Sequence, residues 1–137
     1  MRDMAYQYQI ENTGKYIRVE ISGSRKPEHA VREALDVWAV IAETAQSLGQ
    51  QKVLYLSHIC GSIPVMEAYD VVDQFVNNDW THLKIAYIDL VDSDEDDLMM
   101  LKAICFQHEI QFEFFDNEEQ GQDWLNNLDD QRGREPF

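Results

Sequence analysis

The sequence has few cysteines, few basic residues and no long apolar run. Its two cysteines, Cys60 and Cys105, are far apart and lack both the CxxC spacing of a zinc site and the density of a disulfide framework. No apolar stretch approaches the roughly 18 residues that a membrane span needs, and the first residues lack the apolar segment of a signal peptide. These absences predict a cytoplasmic protein in a reducing compartment.

The scarcity of basic residues leaves a large negative charge. The chain has 26 acidic and 11 basic side chains, for a formal net charge of −15 at pH 7. Such a field repels nucleic-acid backbones and anionic lipid headgroups, so we expect neither nucleic acid nor a membrane surface as partner. A basic protein surface, a cationic ligand or a divalent metal suits the charge better, although solubility is its commonest role.

What the chain does have is enough apolar residues for a core and a regular alternation of predicted strands and helices. Its 137 residues are 45% apolar, which suits one domain. Alternating apolar residues predict strands over Tyr6 to Ile10 and Tyr16 to Ile21, and the Asn12 to Gly14 turn between them favours an antiparallel hairpin. The predicted elements that follow are a helix over Pro27 to Leu48, a strand over Lys52 to Ser57, a helix over Val65 to Val76, a strand over Leu83 to Leu90, a helix after the acidic run Asp92 to Asp97, a strand over Ile110 to Phe115 and a helix containing Trp124.

The resulting order, β-β-α-β-α-β-α-β-α, predicts an α/β fold. Strands joined through helices pair in parallel by right-handed crossovers, and the opening hairpin adds an antiparallel edge to give a mixed sheet. Gly49 is the predicted stop of the first helix, and Asp116 to Glu119 offers a capping box for the last one. The charged segment after residue 128, residues 129–137, is predicted to be disordered.

Three- and four-residue spacing of apolar side chains predicts the buried helix faces. The predicted stripes are Val31, Ala34, Leu35, Trp38, Ile41, Ala42, Ala45 and Leu48 in the first helix; Val65, Ala68, Tyr69, Val72 and either Phe75 or Val76 in the second; and Leu98, Leu101, Ile104 and Cys105 in the third. Lys84 and Asp89, which are charged residues in an otherwise apolar segment, are expected at the ends of their strand.

The second half of the chain resembles a known family. The run Leu83 to Ile88, the strand Ile110 to Phe115 followed by Asp116, the pair Glu118-Glu119 and the pair Trp124-Leu125 resemble the SpoIIAA-like group of the STAS superfamily, in which an alanine stands where this chain has Gly121. With the order of elements, the resemblance covers about residues 5 to 128. It implies a single STAS-like domain with a mixed sheet flanked by helices, and a non-enzymatic binding or regulatory role.

The family also suggests a phosphorylation switch. Its anti-sigma-factor antagonists are switched by phosphorylation of a serine at the start of the helix after the central strand, within an Asp-Ser-Ser-Gly-like motif. This chain lacks that motif; an ungapped comparison places Pro64 and Val65 opposite the motif's serines, and a short shift brings Ser62 there. Ser62 is therefore a candidate phosphosite by position, while capping of the following helix is its simpler role.

Candidate binding residues lie where the predicted central strand turns into its helix. The unpaired amides and the positive dipole end of that helix point above the sheet, where open α/β sheets bind ligands or partners. The candidates are His58, Cys60, Gly61 and Ser62 in this turn, with Asp89 and Asp92 after the next strand. Cys60 with His58 could also form a nucleophile pair of an enzyme, but a buried thiol beside a hydrogen-bonded imidazole is the simpler interpretation.

The acidic run does not fit a calcium loop. Asp92, Asp94 and Asp96 occupy positions one, three and five of an EF-hand, but Asp97 replaces the required glycine and Ala103 the required glutamate. Ser93 as a helix cap, with acids in the first turn, explains the run better. The histidines show no metal-ligand spacing, so we expect neither a metal nor another cofactor.

The leading hypothesis is a non-enzymatic STAS-like domain that binds a protein partner or a small apolar ligand near the carboxyl ends of its strands. The alternatives are a regulator switched at Ser62 and an enzyme using Cys60 or His58. A homodimer is also considered, through the hairpin edge or through the helix that carries Met99 and Met100.

Overall fold

The computed structural model describes residues 6–24, 30–60, 65–91 and 95–126. In chain order, the elements in these ranges are β1 (Tyr6–Asn12), β2 (Ile17–Ser24), α1 (Ala30–Leu48), β3 (Lys52–Cys60), α2 (Val65–Asn77), β4 (Lys84–Asp89), α3 (Glu95–Gln107), β5 (Gln111–Phe115) and α4 (Glu118–Asn126). The predicted order β-β-α-β-α-β-α-β-α is confirmed, and so is the α/β class with a mixed sheet.

The opening hairpin is antiparallel, as predicted. In its turn, the Gly14 amide donates to the side-chain oxygen of Asn12 at 3.0 Å, and the Thr13 amide donates to the Tyr16 carbonyl at 3.0 Å. Gly14 has a φ of 94°, which glycine adopts without the steric cost that a Cβ would bring. The turn residues thus make the reversal that joins β1 to β2.

The five strands follow one another across the sheet in chain order, β1-β2-β3-β4-β5. The pairs β2–β3, β3–β4 and β4–β5 are parallel, so β3 lies in the middle of the sheet, as predicted for the central strand. Doubly wound sheets bind ligands where the strand order reverses. Since the described strands contain no such reversal, a binding site has to be sought in other features of the sheet.

The two faces of the sheet are covered unequally. The three crossovers step in the same direction, and right-handed connections then place α1, α2 and α3 together on one face. Their main core includes Ile17, Val19, Ile21, Trp38, Ile41, Ala45, Val53, Tyr55, Val72, Phe75, Ile85, Tyr87, Leu98 and Ile104. Of the helices in the described ranges, α4 alone lies on the opposite face, over a smaller cluster of Tyr16, Leu54, Leu56, Ala86, Ile88 and Leu125.

The ends of β4 carry its two charged residues, as predicted. Lys84 begins the strand and Asp89 ends it. Lys84 is only 2% exposed, and its Nζ donates to the Trp124 carbonyl in α4 at 2.9 Å. The buried ammonium thereby satisfies a carbonyl near the C-terminal end of the helix, where intrahelical donors run out.

Two of the predicted buried stripes are wrong at individual residues. Leu48 is 46% exposed because it is the last residue of α1, where no further turn covers it. In α2 the buried stripe is Ala68, Val72 and Phe75, whereas Tyr69 lies on its flank and is 40% exposed. Whether a residue is buried therefore depends on the side of the helix it lies on and on its distance from the helix end, as well as on the spacing of apolar residues.

The cap of α4 lies one residue later than predicted. The Asn117 side chain, rather than that of Asp116, accepts a hydrogen bond from the Gln120 amide at 2.9 Å. The cap residue and the residue three positions later are therefore Asn117 and Gln120, each one position after the predicted Asp116 and Glu119. By contrast, the stop of α1 is where Gly49 predicts it, with φ 70° and the Gln50 amide donating to the Ala45 carbonyl at 2.8 Å.

Several predictions concern residues outside the described ranges. They are the start of the first helix at Pro27, the caps and acidic residues at 92–94, and the disordered tail at 129–137. Of the helices within the described ranges, none is both long and apolar enough to cross a membrane.

Candidate functional site

The sheet face that carries α4 is open over the first strands. Contacts of α4 are concentrated on β3, β4 and β5, and no other helix of the described ranges covers this side of β1 and the outer part of β2. We call the residues Gln7, Gln9, Glu20, Ser22 and His58 the polar face. Together with Tyr8 and Ile21, they line a shallow depression of about 590 Å³.

The strand alternation explains why this face is polar. In β2 the buried residues Ile17, Val19 and Ile21 alternate with Arg18, Glu20 and Ser22, which point to the opposite side. The register places Gln9 beside Glu20 and Gln7 beside Ser22, so the polar side chains of the two strands share one side of the hairpin.

A chain of charged contacts connects the polar face with α4. Arg18 Nε donates to Glu118 Oε2 at 2.7 Å, and Arg18 Nη1 lies 3.4 Å from Glu20 Oε1. Glu20 Oε2 in turn lies 3.0 Å from His58 Nε2. The order Glu118, Arg18, Glu20, His58 therefore runs from the first turn of α4 across β2 to β3.

These contacts set the titration of Glu20 and Arg18. The hydrogen bond from His58 lowers the pKa of Glu20 below its ordinary value, and the nearby charge of Arg18 acts in the same direction. The hydrogen bond to Glu118 raises the pKa of Arg18. Glu20 and Arg18 are therefore charged at neutral pH, and His58 sits beside a carboxylate that is reachable from solvent.

The predicted site residues do not all lie in one place in the structure. His58 lies near the end of β3 and joins the polar face through Glu20. Cys60 is the last residue of β3. Gly61, Ser62 and Asp92 lie outside the described residues.

Asp89 ends β4 on the opposite face from His58. It points to the same side of β4 as Ile85 and Tyr87, which face the three-helix layer, and its Oδ1 accepts a hydrogen bond from the Val91 amide at 3.4 Å. With Glu95, Asp116 and neighbouring side chains, it lines a separate depression of about 290 Å³. The structure therefore does not bring Asp89 and His58 into one crevice, although both lie near the carboxyl ends of their strands.

Cys105 does not have the properties of a nucleophile. It lies on the buried side of α3, within the core, and burial raises the pKa of its thiol to about 12. Among the residues that the structure describes, no three histidine, cysteine, aspartate or glutamate side chains form a group that could hold a metal ion.

Arg18, Glu20 and Glu118 belong to the site but were not predicted from the sequence. Part of the site is visible in the sequence, because polar residues occupy alternate positions in both hairpin strands. Such a pattern predicts a sheet face that no apolar layer covers. The pairing of Arg18 with Glu118 spans 100 positions of the chain and has no local sequence pattern.

Comparisons with known proteins do not assign the chain to a family. No family model matches it, and a search of the curated proteins finds no match.

Proposed function

We propose that this chain is a non-enzymatic, STAS-like binding domain that recognises a protein partner through the polar face. The single observation that carries the proposal is the half-covered sheet face, where side chains of β1, β2 and β3 form an exposed polar surface instead of a second helix layer. A sheet face that no helix covers, among the residues described, is available to another chain. The resemblance to the STAS superfamily in residues 83–125 agrees with a binding or regulatory role.

The charge of the molecule favours a basic partner. The formal net charge is −15, and the carboxylate of Glu20 lies on the polar face with its side chain 41% exposed. Opposite charge on the partner would accelerate encounter and fix its orientation. The amides of Gln7 and Gln9 and the hydroxyl of Ser22 supply hydrogen bonds of both kinds for specificity.

The proposal is tested by comparing two lysine substitutions in affinity capture. Gln9→Lys adds a positive charge to the polar face, and Gln46→Lys adds the same charge on the exposed side of α1. We expect the wild-type chain and Gln46→Lys to capture the same partner from host lysate, identified by mass spectrometry, and Gln9→Lys to lose it. Equal capture by the two variants would place the binding surface elsewhere.

A phosphorylation switch at Ser62 is the regulatory form of the same proposal. Phosphate after the carboxyl end of the central strand β3 would add a negative charge of about 1.5 to 2 near the start of α2 and change what the domain binds. Incubation with host lysate and ATP followed by intact-mass measurement and peptide mapping should locate one phosphate on Ser62. An unmodified Ser62 would leave a domain that binds without this switch.

A further inference from the structure

An apolar cavity lies inside the three-helix side of the molecule, away from the polar face. Its volume is about 100 Å³, and it lies between the sheet and α1, α2 and α3, partly open to the surface. Its aromatic lining residues are Trp38, Tyr55, Phe75, Tyr87 and Phe112.

The aromatic rings are arranged as a continuous wall. Trp38 stacks on Tyr55 with ring centroids 5.0 Å apart and an angle of 20° between the planes. Tyr55 and Tyr87 follow at 5.4 Å, and Tyr87 and Phe112 at 5.7 Å. Aromatic pairs at such distances and angles favour offset or edge contacts, which an additional ring placed against the wall could also make.

Small side chains on the helices leave the space unfilled. Ala34 on α1 and Ala68 on α2 face the cavity, where larger aliphatic residues would have packed against the rings. Natural cores contain few voids larger than a water molecule, because unfilled space forfeits dispersion contacts. A void bordered by alanines and five aromatic rings is therefore unusual for a region whose only role is packing.

The lining of the cavity suits an uncharged occupant. The described lining residues include no Asp, Glu, Lys, Arg or His, and the Cys105 thiol among them is protonated at neutral pH because burial raises its pKa to about 12. The hydroxyl of Tyr87 is already engaged with Ser57 Oγ at 3.2 Å. Burying an ion here without a partner would be strongly unfavourable.

The cavity is reachable from the surface. Ala34, Val71, Leu101 and Phe112, which line the cavity from α1, α2, α3 and β5, are half-buried rather than fully enclosed. A small molecule could enter between them by side-chain motion, without separation of α4 or the hairpin.

We propose that this cavity is a binding site for a small, uncharged, planar aromatic molecule of about the size of benzene. An engineered apolar cavity of about 150 Å³ in another protein stays dry and binds benzene, which shows that a void of this order holds a single ring. Such a site goes beyond partner binding at the polar face, since it lies on the other side of the sheet and would couple the domain to a small-molecule signal.

The test is a titration of the isotope-labelled full chain with benzene, monitored by NMR, with benzoate as the matched ligand control. We expect benzene to shift the resonances of Trp38, Tyr87 and Phe112 with a dissociation constant on the order of 1 mM or lower, and benzoate to bind at least about tenfold more weakly. Failure of benzene to shift these resonances, or equal binding of benzoate, would overturn the proposal.

Two alanine substitutions locate the site. Ala34→Leu fills the cavity from α1, whereas Ala103→Leu adds the same side chain on the exposed side of α3. We expect Ala34→Leu to weaken benzene binding at least about tenfold and Ala103→Leu to leave it unchanged. If both variants fold and bind benzene with equal affinity, the assignment of the site to this cavity is wrong. If circular dichroism shows that Ala34→Leu does not fold, the resonances that benzene shifts in the wild-type chain test the assignment instead.

Discussion

Lys84 shows how a single buried charge can hold an element in place. Its ammonium donates to the Trp124 carbonyl and lies 4.3 Å from the centroid of the Trp124 ring. A cation over an aromatic face and a hydrogen bond to a helix-end carbonyl both favour burial of the charged group. The residue therefore links the start of β4 to the last turn of α4.

Lys84→Met is expected to destabilise the protein by about 1–3 kcal/mol, because it leaves the Trp124 carbonyl without this donor and removes the cation from the ring. Lys52→Met is the matched control, since Lys52 pairs with Lys84 in register but is less buried. Urea unfolding followed by circular dichroism measures both. If the two variants had equal stability, the contacts of Lys84 would make no net contribution.

The carboxylate of Glu20 makes stability depend on pH. Its pKa in the folded state lies below the ordinary value of 4.5, so its contribution is complete above pH 4.5 and is lost as the pH falls through the lowered value. We expect Glu20→Gln to be less stable than the wild type by under about 1 kcal/mol at neutral pH, because the exposed pair is screened, and to match it at about pH 2.

Chemical unfolding at both pH values measures that difference. Glu43→Gln, on the exposed side of α1, controls for the loss of one negative charge. A stability difference between Glu20→Gln and the wild type that persisted unchanged in acid would show that the carboxylate does not act through its ionised contacts with His58 and Arg18.

The rate at which iodoacetamide modifies Cys60 distinguishes the binding proposal from the enzyme alternative. Cys105 is buried with a thiol pKa of about 12, and we expect iodoacetamide to modify it at least about 100-fold more slowly in the folded than in the unfolded chain. Peptide mapping then reports Cys60 separately. The binding proposal expects Cys60 to react no faster than free cysteine, and a much faster rate would favour the enzyme using Cys60 and His58.

At the scale of elements, the close approach of α4 to the sheet depends on Gly121. A Cβ at this position would lie 2.5 Å from Ile88 Cδ1 and 2.9 Å from Leu54 Cδ1, and both of those side chains are fully buried. Where the SpoIIAA-like pattern has alanine, this chain has no methyl group, and the helix packs directly on β3 and β4.

Gly121→Ala is expected to destabilise the protein by about 1 kcal/mol net, because displacement of two buried side chains outweighs the helix propensity gained by alanine. Ile88→Val removes the methyl group nearest to the new Cβ. We therefore expect Gly121→Ala to cost less in an Ile88→Val background, as measured by a double-mutant cycle of unfolding free energies. Additive effects would mean that the contact with Ile88 does not limit the packing of α4.

The sequence predicted the elements better than their contacts. The hairpin, the stop at Gly49 and the central position of β3 follow from turn residues, helix punctuation and the order of strands, which are local or topological signals. The cap at Asn117 was missed by one residue because Asp116 and Asn117 are both good caps. The Arg18–Glu118 pair and the cavity could not be predicted, since both depend on how distant elements pack.

For the whole molecule, exposed apolar residues on α3 offer a surface for association of two copies. Phe106 is 82% exposed and Met99 is 50% exposed, about two turns apart on the same helix, whereas Met100 packs against the main core. The exposed apolar pair on α3 is therefore Met99 and Phe106, rather than the expected pair Met99 and Met100.

We expect the chain to self-associate through Phe106, and more strongly at higher ionic strength, because salt screens the repulsion between molecules with a net charge of −15. Sedimentation velocity at several protein and salt concentrations measures this. Phe106→Ser should prevent association without loss of stability, and Val40→Ser on α1 is the control. A chain that stays monomeric under all these conditions would rule out the dimer.

The part of the molecule that the structure describes is built asymmetrically, with three helices and an apolar cavity on one side of the sheet and one helix beside an open polar face on the other. The central claim is that the open side binds the partner. The most direct test is NMR chemical-shift mapping of the captured partner on the labelled chain. The account predicts the largest shifts at Gln7, Gln9, Glu20, Ser22 and His58; shifts confined to α1, α2 and α3 would contradict it.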